Sequence, residues 1–178
     1  MKKYLFGLII IFAASCWNKS SNITTDIFDQ ITTTNEGGII RGAELGMNTS
    51  TIKSNEIRGL TENDTTYLFY EFVVDSSSNY TVAYSFENDS LNEIRMDVYL
   101  QNEKNAVDLS NKLKTYFADK YHLQPQNESD AIWIWAVNEK SGTALKIELA
   151  DESADYDFKY GKISLLIYRE NNPEQPAL

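Results

Sequence analysis

Residues able to do catalytic chemistry are few, because the 178-residue chain has one histidine and one cysteine. His122 follows a predicted helix, where an imidazole commonly interacts with the terminal carbonyl groups. A Ser-His-Asp site would have to use His122, and the sequence has no G-x-S-x-G turn. Zinc sites need several His or Cys ligands, and no glycine-rich phosphate loop is present. We therefore expect no zinc site, no nucleotide cofactor and no nucleophilic enzyme.

The carboxylates suggest two other kinds of chemistry. Oxygen ligands that would suit Ca²⁺ are offered by four neighbouring acids: Asp151, Glu152, Asp155 and Asp157. An EF-hand loop beginning at Asp151 would need Gly and Glu where the chain has Tyr156 and Lys162, so we interpret the stretch as a solvated loop. Carboxylate pairs can hydrolyse glycosides, but among 26 acidic residues a chance pair carries no weight. We predict no catalytic residue, cofactor or metal.

Two tryptophans suggest binding instead. Trp133 and Trp135 share one face of a predicted strand at 131–137, because side chains alternate across a strand. Ile132 and Ile134 share the other face. If the isoleucines pack on the helices, both indoles lie on an open sheet face, where Trp is typical of binding hot spots. The alternative is that the tether or a crossing loop covers them.

The N-terminal segment has the layout of an export signal. Lys2 and Lys3 precede an apolar run at 5–12, and small residues precede Cys16. The apolar run is too short to span a bilayer, which takes about 20 residues.

Ala14, Ser15 and Cys16 resemble the lipobox of bacterial lipoproteins, with Ala13 where that family usually has Leu. The resemblance implies that residues 1–15 are a signal peptide and that Cys16 carries fatty acyl groups such as palmitate, which anchor the chain. An ordinary signal peptide cleaved near Ser15 is the alternative. The residue after Cys16 is Trp17, whereas an Asp at this position would resemble the inner-membrane retention signal of some bacteria. The acidic cluster that resembles the surface-export signal of some lipoproteins is also absent there. We therefore expect an outer-membrane protein facing the periplasm.

Composition limits the partners. The formal net charge is −10, which disfavours contact with nucleic acid and with anionic lipid surfaces. Membrane attachment should therefore come from the lipid on Cys16. Once Cys16 is acylated no thiol remains, so the domain must fold without disulfides.

Hydrophobic patterning predicts one α+β domain. Residues 16–37 are rich in Ser, Thr and Asn and are interpreted as the lipidated cysteine and a flexible tether, part of which could dock through Ile27, Phe28 and Ile31. Residues 38–170 form the domain, and 171–178 a frayed tail. Helices are predicted at 49–56 and 103–121, and strands at 66–74, 79–86, 91–100, 131–137, 144–150 and 162–169. The order α-βββ-α-βββ predicts an antiparallel sheet with two helices on one face.

The "RG–ELGM" run from Arg41 to Met47, followed by a helix, resembles the opening of SmpA/OmlA-like lipoproteins and of β-lactamase-inhibitor-like domains, which are built from α-β-β repeats. The resemblance covers about residues 38–58 and implies a non-catalytic, protein-binding scaffold in the bacterial envelope.

These observations lead to one functional hypothesis, a lipid-anchored envelope protein that acts through protein–protein contact. Its predicted surface is a polar and aromatic patch on the open sheet face, formed by Arg95, Tyr99, Trp133, Trp135 and Lys146. The first alternative is a small-ligand or glycan-binding lipoprotein that uses the Trp133 and Trp135 face. A hydrolase is the third.

Overall fold

A computed structural model describes residues 26–32, 37–56, 58–139 and 143–171. The predicted signal peptide, Cys16 and the tail from residue 172 lie outside the described residues, as does most of the predicted tether.

The described chain contains three α-helices and eight strands. In chain order they are α1 (Ile27–Thr32), α2 (Thr49–Asn55), β1 (Leu60–Asn63), β2 (Tyr67–Val73), β3 (Asn79–Glu87), β4 (Ser90–Leu100), α3 (Glu103–Tyr121), β5 (Gln126–Ser129), β6 (Ile132–Asn138), β7 (Thr143–Asp151) and β8 (Gly161–Asn171). A short 3₁₀ turn, Ser153–Tyr156, lies between β7 and β8.

All eight strands form one antiparallel sheet in the order β1-β2-β3-β4-β8-β7-β6-β5. The predicted antiparallel sheet with helices is confirmed in this form. The predicted order α-βββ-α-βββ is not found, because β1 and β5 add a fourth strand to each set and α1 precedes both. Both added strands are four residues long, every residue in them is exposed, and they lack the apolar alternation that would have predicted them.

Helix α3 covers the part of the sheet that includes β8 and β7. Its start is set by Asn102, whose side chain accepts a hydrogen bond from the Asn105 N–H at 3.0 Å. Its end is set by His122, which adopts the left-handed conformation of a helix C-cap. On one side of α3, four of its own apolar residues at helical spacing are buried: Ala106, Leu109, Leu113 and Phe117. His122 thus lies at a helix end, as the sequence predicts.

Helix α1 lies inside the segment predicted as tether. Its Ile31 is fully buried, and the ring of Phe28 packs edge-on against Tyr116 of α3 with centroids 6.1 Å apart. Asp26 pairs with Lys112, whose hydrogen bond lowers the pKa of Asp26. This part of the segment therefore docks on the domain, through the residue spacing noted in the sequence.

A buried ion pair joins the N-terminal segments to the sheet. The Arg41 guanidinium binds the Glu56 carboxylate through two hydrogen bonds, of 2.5 and 2.7 Å. It also donates to the Tyr80 hydroxyl at 3.0 Å and lies 4.6 Å from the Phe72 ring centroid. Glu56 accepts a further hydrogen bond from the Tyr84 hydroxyl at 2.5 Å. Every charged group of this cluster is therefore compensated, as burial requires.

The two edges of the sheet are irregular. The register between β1 and β2 shifts between Leu60 and Glu62, and that between β5 and β6 shifts between Asn127 and Ser129. Short, polar and bulged edge strands are the usual protection against pairing with another chain.

Stability at alkaline pH should depend on Tyr84. Burial, followed by the charge of Glu56, raises the pKa of Tyr84 well above its ordinary value of 10.0. The unfolded chain therefore releases this proton first, and the free energy of unfolding should fall as pH rises above about 10. We expect Tyr84→Phe to lower the free energy of unfolding at pH 7, because Glu56 loses a hydrogen-bond donor. Above about pH 10, however, the free energy of unfolding should fall less steeply with pH in this variant, by up to about 1.4 kcal/mol per pH unit.

Urea unfolding between pH 7 and 11 measures both effects, with Tyr160→Phe at an exposed position as the control. An alkaline slope that is the same in Tyr84→Phe and in the unmodified chain would contradict this role of Tyr84.

Candidate binding site

The predicted patch is divided between the two faces of the sheet. Trp133 pairs with Leu149 and Trp135 with Ile147, and directly paired residues of an antiparallel sheet share a face. That face carries α3, since the Phe117 and Trp135 rings lie 5.5 Å apart. The prediction that Trp133 and Trp135 lie on the open sheet face is therefore wrong.

The reason is that the tryptophans, and not the isoleucines, fit beneath α3. Trp135 is 0% exposed, and its indole N–H donates to the Leu123 carbonyl just beyond α3 at 3.2 Å. Trp133 is half-buried, with the Lys114 ammonium 4.0 Å from its ring centroid. Ile134 takes the opposite face, where it is only partly buried.

The other three predicted residues do lie on the face that α3 leaves open. Arg95 pairs with Leu166, Lys146 with Tyr168, and Tyr99 with Lys162. Lys162 and Tyr168 are six residues apart on β8, so Tyr99 and Lys146 are separated by roughly 20 Å along the strands. Each cation already has an acidic neighbour, Arg95 with Glu93 at 3.6 Å and Lys146 with Glu170 at 3.3 Å. The structure does not bring these three residues together in one site.

Tyr99 instead belongs to a cleft at one end of the open face. The cleft has a volume of about 430 Å³, and its aromatic walls are Tyr99, Tyr156 and Tyr160. We call it the tyrosine cleft. Its polar lining includes Glu71, Ser77, Asn79, Thr81 and Lys162. The three tyrosines are 37%, 40% and 61% exposed, and Phe158, between the last two in the sequence, is 56% exposed.

The loop between β7 and β8 supplies two of these tyrosines. Asp151 accepts hydrogen bonds from the backbone N–H and the hydroxyl of Ser153, at 3.0 and 2.6 Å. Ser153 in turn accepts the N–H of Lys162 at 3.2 Å. Asp157 and Phe158 both adopt left-handed conformations, with φ of 52° and 57°. Such backbone is costly for a bulky residue such as Phe158, and the hydrogen bonds at the loop ends hold the chain there.

Lys162 fixes the base of the cleft. Its ammonium lies 2.6 Å from Glu152 and 3.4 Å from Asp97. Burial alone would lower the pKa of Lys162, but the hydrogen bond that its ammonium donates to Glu152 and the charge of Asp97 raise that pKa overall. Lys162 therefore stays charged and ties the loop to β4 across the open face.

The acidic stretch considered for Ca²⁺ has other roles in this loop. Asp151 holds Ser153, and Glu152 holds Lys162. Within the ranges that the structure describes, no three His, Cys, Asp or Glu side chains are grouped so as to bind a metal ion.

Sequence reasoning missed Tyr156, Phe158 and Tyr160 as surface residues. The available signal was an aromatic residue at every second position, within a connection that is otherwise acidic. An isolated exposed aromatic residue needs no explanation, but a cluster of them marks a candidate binding surface.

Comparisons of the chain with protein-family models, curated proteins and solved structures return no match. None of the helices in the described part of the chain has the length and apolarity to cross a bilayer.

The two tryptophans should differ in their contribution to stability. Trp135→Ala removes a fully buried indole and should lower the free energy of unfolding by about 3–5 kcal/mol. Trp133→Ala should cost at most about half of this, because its ring is partly in solvent. Urea unfolding followed by circular dichroism measures both changes. A loss below about 1 kcal/mol for Trp135→Ala would show that Trp135 is not a core residue.

Proposed function

We propose that this chain is a lipid-anchored, non-catalytic envelope protein that acts by protein–protein contact through the tyrosine cleft and the adjoining open face. One observation carries the proposal. Of the eight large hydrophobic residues that are exposed in the described ranges, three line this cleft, Tyr99, Tyr156 and Tyr160, and a fourth, Phe158, lies between the last two in the sequence. Exposed aromatic residues with a polar surround are typical of the centre of a protein-binding surface.

We propose that α2 and α3 cover the same face of the sheet, so that the other face is left for a partner. Two contacts support this arrangement. Glu56, the C-cap of α2, binds Tyr84, and Phe117 of α3 packs on Trp135. Tyr84 pairs with Ile94, and Ile94 pairs with Ile167. Ile167 pairs with Ile147, which in turn pairs with Trp135. Because paired residues share a face, Tyr84 and Trp135 lie on the same face of the sheet.

The lipid anchor rests on the lipobox resemblance of Ala14, Ser15 and Cys16. Ten residues lie between Cys16 and Ile27 at the start of α1, and the eleven residue-to-residue steps reach at most about 40 Å. The proposed domain would therefore stay close to the membrane, and its partner would be another component of the envelope. The resemblance of the segment from Arg41 to Met47 to SmpA/OmlA-like domains favours the same kind of scaffold role.

Binding of a small ligand is the second candidate function. The observation that favours it is the volume of the tyrosine cleft, about 430 Å³, which falls within the range of small-molecule sites. This alternative no longer involves Trp135, which is buried.

Lipid attachment should depend on Cys16 alone. Cys16→Ala should abolish acylation and move the protein from the membrane fraction to the soluble fraction, because stable anchoring requires the acyl chains. Mass spectrometry of the mature N-terminal peptide measures the added lipid, and Ser15→Ala is the control that keeps a small residue before the cysteine. An unmodified Cys16 in the wild-type protein would refute the anchor.

The binding surface can be tested by photo-crosslinking in the native host. A benzophenone side chain in place of Phe158 should form an adduct with a specific envelope protein, since Phe158 is exposed in the loop that carries Tyr156 and Tyr160. Adding Tyr156→Ser and Tyr160→Ser should reduce the adduct by about tenfold or more, as expected for loss of hot-spot residues.

A benzophenone at Val107, which is exposed on α3, is the control position and should not give this adduct. Equal adduct yields from positions 158 and 107, or a yield unaffected by the tyrosine substitutions, would contradict the proposed surface. Thermal melts of each variant establish that the domain remains folded.

A further inference from the structure

We infer that the tyrosine cleft binds a cationic side chain, an arginine or lysine presented by the partner. This inference rests on the proposed function and specifies the chemistry of the same site. It follows from the ring composition of the cleft, from its charge and from the surface around it.

The rings supply the first argument. The faces of aromatic rings carry negative electrostatic potential and attract ammonium and guanidinium groups. Tyr99 has the Lys162 ammonium 5.7 Å from its ring centroid. In the described part of the chain no lysine or arginine lies over Tyr156 or Tyr160, and neither ring stacks on another. These two rings are the ones that remain for a cation supplied from outside.

The charges supply the second argument. Lys162 is compensated by Glu152 and Asp97, and so it leaves no net positive charge in the cleft. The exposed Glu71 lines the cleft without an ion pair in the described part of the chain. The loop that carries Tyr156 also contains the exposed Asp155 and Asp157, and Asp157 has Lys159 at 4.0 Å. At the cleft and its base, three carboxylates, Glu71, Glu152 and Asp97, thus face one lysine, Lys162.

This excess of carboxylates distinguishes a cation from the other ligands that would fit the volume. An anionic ligand would be repelled. A neutral sugar could stack on the tyrosines and donate hydroxyl hydrogen bonds to Glu71, but it would gain no attraction between opposite charges. A cation gains from both the ring faces and the carboxylates, and these two effects act in the same small space.

The surroundings favour a side chain of a protein over a free amine. Val73, which is 77% exposed, pairs with Asn79 of the cleft, and the exposed Phe158 lies in the loop between Tyr156 and Tyr160. These apolar neighbours offer contact area beyond the cleft itself, as at the centre of a protein interface. A free amine would leave them in water.

The test compares two peptides that differ in charge alone, N-acetyl-Gly-Arg-Gly-amide and the same peptide with neutral citrulline in place of arginine. The full chain is held in a non-ionic detergent, and binding is measured by saturation-transfer NMR titration. We expect the arginine peptide to bind at least about fivefold more tightly, which corresponds to a modest cation–π and charge contribution. Glu71→Gln should lower this preference.

The decisive variant is the double substitution Tyr156→Leu and Tyr160→Leu, which keeps apolar bulk but removes both rings. It should bring the ratio of the two affinities close to one, whereas Tyr156→Phe with Tyr160→Phe should preserve it. Circular dichroism of both variants establishes that each is folded.

Equal binding of the arginine and citrulline peptides by the unmodified chain would overturn the inference. Binding of chito-oligosaccharide without binding of the arginine peptide would also overturn it, in favour of a glycan. In either case the crosslink from position 158 would still report on the proposed function, so that failure of the cation site and failure of the protein-binding surface are separate results.

Discussion

The buried pair of Arg41 and Glu56 is the interaction on which the arrangement of the N-terminal half depends. Arg41 is held in a left-handed backbone conformation, with φ of 53°, and its guanidinium also binds the Gln30 carbonyl of α1 at 2.6 Å. One side chain thereby joins α1 to the residue that ends α2 and to Tyr80 on β3. Removing one partner of such a pair costs about 3–5 kcal/mol, because the other charge remains buried. The helices and the sheet cannot shift independently while the pair is intact.

A second constraint connects the core to the candidate site. A side chain at Gly161 would place its Cβ 2.8 Å from the Cβ of Ala106, so the start of β8 can approach α3 only without one. The next residue, Lys162, points to the opposite face and binds Glu152 and Asp97. The close packing of α3 on the sheet therefore determines where the loop of Tyr156 and Tyr160 ends, although that loop makes its contacts on the other side.

Much of the fold was predictable, because the long elements have clear periodicity. The helix predicted at 103–121 is α3, and the alternation in β4 correctly assigned Ile94 and Arg95 to opposite faces. The assignment failed in β6, where both faces are apolar and the pattern does not say which one meets the helix. It also failed for β1 and β5, whose exposed residues carry no pattern. The cleft could not be predicted, because Tyr99 and Tyr156 meet only after β4 and β8 pair.

The blunted edges of the sheet have a consequence for how copies of this protein behave side by side. The proposed lipid anchor would confine copies to a surface, where they would encounter one another far more often than in solution. A flat sheet with free backbone groups would then polymerise by strand addition. β1 and β5 are too short and too irregular to act as templates for it. The face of a sheet, in contrast, contacts a partner through side chains, which can be specific for that partner. The architecture thus tolerates crowding while it keeps association selective.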